Sequence, residues 1–282
     1  MKRIFFLFFL LLACAGHQAN TPISAVGASF LEHPLRTPEV RNPGPHQEIS
    51  FKTAEGFTLK GWLFRTAVTP ARGWVVYLHG KDANRSNGAH AARALLKLGF
   101  NVLAYDHRAH GESEGTTCTY GVREAQDLHI ALETFTDGPV FLVGESLGAA
   151  TALEAAPNEP RVVGVVAAAP FSDMKTIVRE IGAFASDADL NRVLAQFQQD
   201  TGLNPEDISP AQSAKNIHVP VLFLRGTEDK FMAIEHIERI RQNLPGESQF
   251  IRLEGVTHAD VLAHDQIWEV VAKWIDAHSA PR

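Results

Sequence analysis

Disulfides do not organise this chain, because its 282 residues contain only two cysteines, Cys14 and Cys118, and the first lies in an N-terminal export segment. There is no basic surplus to meet nucleic acid, since the formal net charge is −6. No H-E-x-x-H pair occurs, and His107, His110, His258, Asp260 and His264 are poorly spaced as ligands, so no metal and no cofactor are expected. Internal repeats are absent. Hydrophobic residues at 45% and charged residues at 21% are ordinary globular values and exclude disordered and multi-span membrane chains. The length suits one sizeable core and a single α/β domain.

Met1-Lys2-Arg3 followed by the apolar run 4–12 has the charged start and short hydrophobic stretch of a secretory signal, too short to span a bilayer as a helix. Leu11-Leu12-Ala13-Cys14 resembles a bacterial lipobox, which implies cleavage before Cys14 and acylation of its thiol, giving a membrane-anchored lipoprotein of a bacterial envelope. Ala13-Cys14-Ala15 also fits an A-x-A secretory site, which would release a soluble periplasmic or secreted protein. Residues 1–13 are thus expected to be a signal, 14–45 a tether rich in Pro, Ala, Ser and Asn, and 46–282 the domain.

Within that domain, segments 48–52 and 57–64 carry β-formers around a turn at Ala54-Glu-Gly56 and predict an antiparallel hairpin at a sheet edge. Apolar strands are then expected at 74–78, 100–105, 140–143, 162–168, 219–224 and 249–253. They alternate with helices at 89–98, 120–135, 147–156, 234–243 and 263–278, a pattern that implies a mostly parallel sheet with helices on both faces. The interval 171–218 is too long for a simple crossover. Apolar stripes at Ile177, Ile181 and Phe184, and at Leu190, Leu194 and Phe197, predict short helices there, packed as ordinary core or as a small cap lining an acyl pocket.

The chain is organised around Gly144-Glu-Ser-Leu-Gly148, between an apolar strand and an Ala-rich helix. A Cβ at either glycine would crowd the reversal that pushes the Ser146 hydroxyl out of the sheet, and the helix behind it points unpaired N–H groups at negative charge forming near that serine. The Leu147 amide is expected to be one oxyanion donor. The other is the Lys81 amide in His79-Gly-Lys81 after the first parallel strand, with the His79 side chain holding the loop. Arg225-Gly-Thr-Glu-Asp-Lys230 and Glu254-Gly-Val-Thr-His258 follow later strands and supply Asp229 as acid and His258 as base, in the order Ser, Asp, His. Asp173 is the alternative acid.

With these residues in view the chain resembles the α/β-hydrolase superfamily over 48–278. The matching stretches are His79-Gly80, Asp106-His-Arg-Ala-His-Gly-Glu-Ser113, Gly144-Glu-Ser-Leu-Gly148, Gly226-Thr-Glu-Asp229 and Gly255-Val-Thr-His258. The resemblance implies an eight-stranded sheet, a Ser146 nucleophile, a His258 base and an Asp229 acid. Two departures stand out. Ala109 occupies a position where the family usually has Gly, and His79-Gly-Lys-Asp82 lacks the glycine run of many lipases. The expected activity is hydrolysis of a short-chain or small acyl ester. A thioesterase, an aminopeptidase-type amidase and a catalytically silent surface-anchored binding protein are the alternatives.

Overall fold

The computed structural model describes residues 27, 31–37, 43–182, 184 and 186–279, so the signal segment and Cys14 lie outside the described residues. Strands β1 (Gln47–Lys52) and β2 (Thr58–Phe64) form the expected antiparallel hairpin, and β2 runs antiparallel to β4 (Phe100–Tyr105). From β4 onward the neighbours are parallel, through β3 (Gly73–Leu78), β5 (Val140–Glu145), β6 (Val162–Ala168), β7 (Val221–Gly226) and β8 (Ser248–Leu253). The eight strands follow the order β1-β2-β4-β3-β5-β6-β7-β8. After β3 the chain crosses to one side for β4 and to the other for β5. The crevice beyond the carboxyl ends of β3 and β5 is therefore a switch point, where sheets of this kind take their ligands.

Every residue of β3, β4 and β5 is buried, as strands covered on both faces must be. Val75 and Tyr77 face the layer of α1 (Gly88–Leu95) and α8 (Asp265–His278). Trp74, Val76 and Leu78 face the layer of α2 (Val122–Phe135), α3 (Leu147–Ala155) and α7 (Ile234–Asn243). The strand limits fall within one residue of expectation except in β5 and β7, which differ by two. The strand expected at 219–224 starts at Val221 because Pro220 has no N–H for the ladder, although its carbonyl accepts the Val165 N–H at 3.0 Å. The strand expected at 140–143 continues to Glu145, which pairs with Ala168.

The insert folds into α4 (Met174–Ile181), α5 (Asp187–Thr201) and the single turn α6 (Pro210–Ser213). Asp173 accepts the Thr176 N–H at 2.8 Å and Ser186 accepts that of Asp189 at 3.2 Å, so each caps the start of a helix. Ile177, Leu190, Leu194 and Phe197 turn inward and join the main core, where the Tyr120 ring lies 6.0 Å from Phe171 and 6.2 Å from Phe197. Phe197 is therefore a packing residue. Phe197→Leu is expected to cost about 1–2 kcal/mol in a urea melt while leaving any acyl-chain preference unchanged. Ile181 and Phe184 are only partly buried and remain as candidate wall residues.

The stretch expected to be a tether, 14–45, is instead docked on the domain over residues 31–37. Leu31 is buried in the core, and the Glu32 carbonyl accepts the N–H of the buried Cys118 at 2.7 Å. The Arg36 guanidinium donates to the carbonyls of Gly111, Ser113 and Gly115 at 2.8, 2.7 and 2.9 Å. A segment held by isolated side chains such as Leu31 and Arg36 and by backbone groups leaves no period in its sequence, so composition alone reads as a loose linker.

Candidate active site

Ser146 stands at the bend between β5 and α3 with φ 51° and ψ −112°, a conformation an L-residue adopts only under constraint. The constraint is visible. A Cβ on Gly148 would lie 2.0 Å from the Leu78 carbonyl oxygen, and one on Gly144 would lie 2.2 Å from that of Gly148, so α3 presses against the strands only because both are glycine. The Ser146 N–H donates to Ala168 O at 2.8 Å, and its carbonyl accepts the Ala150 N–H at 3.0 Å. From Val140 to Thr151 every residue except Ser146 is buried, which leaves that serine as the one point of the elbow open to solvent.

Asp229 and His258 meet through tightly joined loops. A Cβ on Gly226 would stand 1.9 Å from Val256 O, and the N–H groups of Thr227 and Glu228 donate to Leu253 O and Val256 O at 2.9 and 3.0 Å. Arg225, unnoticed in the sequence, donates to the carbonyls of Met232 and Asp229, both at 2.8 Å, and fixes the turn. His258 Nδ1 lies 2.9 Å from Asp229 Oδ2, while Asp229 Oδ1 accepts the N–H groups of Phe231 and Met232 at 2.9 and 3.0 Å. Burial pushes the Asp229 carboxyl up, but the His258 hydrogen bond and the two backbone donors outweigh it and hold the group below the usual carboxylate range. An ionised carboxylate only accepts, so Nδ1 carries a proton, and in the neutral ring the lone pair is on Nε2.

The loop after β3 lies against the serine, since a Cβ on Gly80 would be 3.5 Å from that of Ser146. His79 Nε2 accepts the His107 N–H at 2.9 Å, so its proton sits on Nδ1 and is donated to Gly80 O at 2.8 Å. In a planar trans peptide the carbonyl and the following N–H point in opposite directions, so anchoring Gly80 O also fixes the direction of the Lys81 N–H. Leu147 is the first residue of α3, where backbone N–H groups have no partner within the helix. His79 thus holds the loop, as expected. Asp173, the alternative acid, is taken up in capping α4.

Glu145 was missed in the sequence because the buried strand runs through it. Burial pushes its carboxyl up, while the Tyr77 hydroxyl donating at 2.7 Å and the nearby His258 act in the other direction. Ala109, at the family's usual Gly position, does adopt a left-handed φ of 66° and is buried, so the loop keeps its tightness despite the side chain. A second Ser-His-Glu set also appears. Ser172 Oγ is 2.9 Å from His236 Nδ1 and His236 Nε2 is 2.9 Å from Glu180 Oε2, but Ser172 is fully buried and these groups tie the insert to α7. Among the described residues no group of three or more His, Cys, Asp or Glu is arranged to hold a metal ion.

An eight-stranded, mostly parallel sheet with helices on both faces, bent at a Gly-x-Ser-x-Gly elbow, defines an α/β-hydrolase. Residues 69–212 match the family described as serine aminopeptidase, S33, and the chain belongs to that family of serine hydrolases. It is similar to the uncharacterized protein YqkD of Bacillus subtilis, 28% identical over 218 residues that cover 73% of this chain and 71% of the other. It is also similar to the polyketide transferase grgF of a Penicillium species, 30% identical over 142 residues that cover 46% of each. Among solved structures, an esterase of Pyrococcus furiosus shares the fold with a TM-score of 0.66 at 21% identity, covering 89% of this chain and 99% of that one.

Proposed function

We propose that this protein cleaves a small acyl ester through an acyl-enzyme on Ser146. The observation that carries the reading is the His258–Asp229 hydrogen bond, which leaves Nε2 of the neutral ring as a base at the same carboxyl end of the sheet as a solvent-open serine held in a strained elbow. In the first half-reaction Ser146 Oγ attacks the ester carbonyl and its proton passes to His258 Nε2. The Leu147 and Lys81 amides donate to the developing oxyanion. Collapse breaks the bond to the alcohol, which leaves with the proton from His258. Water then repeats the sequence, giving the acid and restoring the serine.

Substrate size follows from the insert. Its strongest apolar residues are committed to the core, so little remains to enclose a long acyl chain. On a series of acyl esters kcat/KM is expected to rise about fourfold per added CH₂, from about 0.8 kcal/mol each, over the first few carbons and then to fall. The same series run with thioesters and aminoacyl amides tests the acyl-leaving-group choice. A long-chain optimum with interfacial activation, or faster turnover of aminoacyl amides than of every ester, would overturn the short-ester reading.

We place the protein in a bacterial envelope, anchored through an acylated Cys14, on the strength of the N-terminal sequence. Cells expressing the full chain are expected to carry it in the membrane fraction, and those expressing Cys14→Ser in the soluble fraction. Equal partitioning would favour cleavage after Ala15 and a soluble product.

A further inference from the structure

We propose that residues 31–37 form a strap that positions the loop carrying the Lys81 amide, so that the N-terminal segment helps to build the oxyanion site. This inference rests on the assignment of Lys81 N–H as an oxyanion donor.

The strap is pinned firmly on one side. Leu31 is in the core, Glu32 O accepts Cys118 N–H at 2.7 Å, and His33 Nδ1 lies 2.6 Å from Thr116 O. Arg36 holds the loop after β4 through carbonyls that include Gly111, Ser113 and Gly115. Its other side faces the loop after β3. The Leu35 N–H donates to Asp82 Oδ1 at 2.7 Å, and Asn84 Nδ2 donates to Thr37 O at 3.0 Å and to Thr37 Oγ1 at 3.1 Å.

Asp82 directly follows Lys81 and has φ 63°, a left-handed conformation that persists in a side-chain-bearing residue when its surroundings enforce it. His79 anchors the Gly80 end of the oxyanion peptide. The strap anchors the other end through Asp82 and Asn84. A donor aimed at transition-state charge works only if its direction is fixed beforehand, so releasing one end of this peptide should lower kcat and leave ground-state binding alone. Leu35 and Asp82 are accordingly positioning residues.

The decisive comparison is Leu35→Pro against Leu35→Ala in the full-length protein. Proline removes the N–H given to Asp82 and also restricts the backbone at 34 and 35, so Asp82→Ala, which removes the same bond from the other side, is its companion; the Leu35 side chain is exposed, at 47%. Leu35→Pro is expected to lower kcat about tenfold with KM unchanged, to weaken binding of a boronic-acid transition-state analogue in parallel, and to speed amide exchange at 81–83. Leu35→Ala should match wild type in all three. Asp82→Ala should behave as Leu35→Pro does, and Asp82→Asn, which keeps the acceptor oxygen and tolerates the left-handed region, should recover most of the loss.

Unchanged exchange at 81–83 in Leu35→Pro would overturn the strap. Faster exchange with wild-type kcat would overturn its positioning role while leaving the serine mechanism in place. If Ser146→Ala keeps its turnover, the nucleophile assignment fails, and the exchange comparison still decides whether the strap holds the loop.

Discussion

Ser146→Ala and His258→Ala are each expected to lower kcat by about four to six orders of magnitude, and the double variant by no more than either alone, because attack and proton removal are one event. Asp229→Asn should cost roughly 10⁴-fold, since a neutral amide can hold the imidazole in the wrong tautomer. Initial rates on an activated short-chain ester, read beside fluorophosphonate labelling, check all of these. The fold should survive. Ser146→Ala keeps the elbow's strained φ of 51°, whereas Ser146→Gly relieves it and should melt higher than the alanine form by about 1 kcal/mol equivalent. Wild-type turnover in Ser146→Ala protein would remove the serine from the mechanism.

His107→Leu is expected to make the protein about 2 kcal/mol less sensitive to acid between pH 8 and pH 5, judged by urea melts at both values. The ring is fully buried, and neither of its nitrogens finds a hydrogen-bond partner among the described residues. Burial, then repulsion from His79 and His110, holds its pKa well below the ordinary value of 6.5. The folded protein therefore keeps this imidazole neutral, while the unfolded chain takes up a proton as the pH falls through 6.5. Stability is fully present above that pH and is lost below it, by about 1.4 kcal/mol for each pH unit until the folded group itself titrates. The variant comparison isolates this contribution from groups of opposite sense. Glu32, raised to about 7 by burial and by Asp200 beside it, contributes below its ordinary value and loses that contribution as the pH rises through 7. A ΔΔG that does not change between the two pH values would show that His107 does not titrate on unfolding.

The parallel strands were legible because a strand covered on both faces must be apolar throughout, and 100–105 and 162–168 were read to the residue. Ser146, Asp229 and His258 stood out because each follows a strand with a glycine close by; Gly144, Gly148 and Gly226 have steric reasons to be glycine, and Gly255 has a left-handed φ of 70°. What stayed hidden has a common cause. Arg225 and Arg36 act on backbone carbonyls, and Glu145 is a carboxylate inside an apolar strand, so none of the three belongs to a periodic pattern. The insert was half legible. Its stripes announced helices, but the same spacing serves a pocket wall and a core, and only contact with Tyr120 decides between them for Phe197.

Cys118 gives the folded chain a built-in reporter. Its thiol is fully buried, and burial pushes its pKa far up, so a thiol reagent finds neither access nor thiolate while the loop after β4 stays closed beneath Glu32. In a Cys14→Ser form, where Cys118 is the one remaining thiol, the rate at which it is alkylated follows openings of the molecule. That readout needs no introduced label.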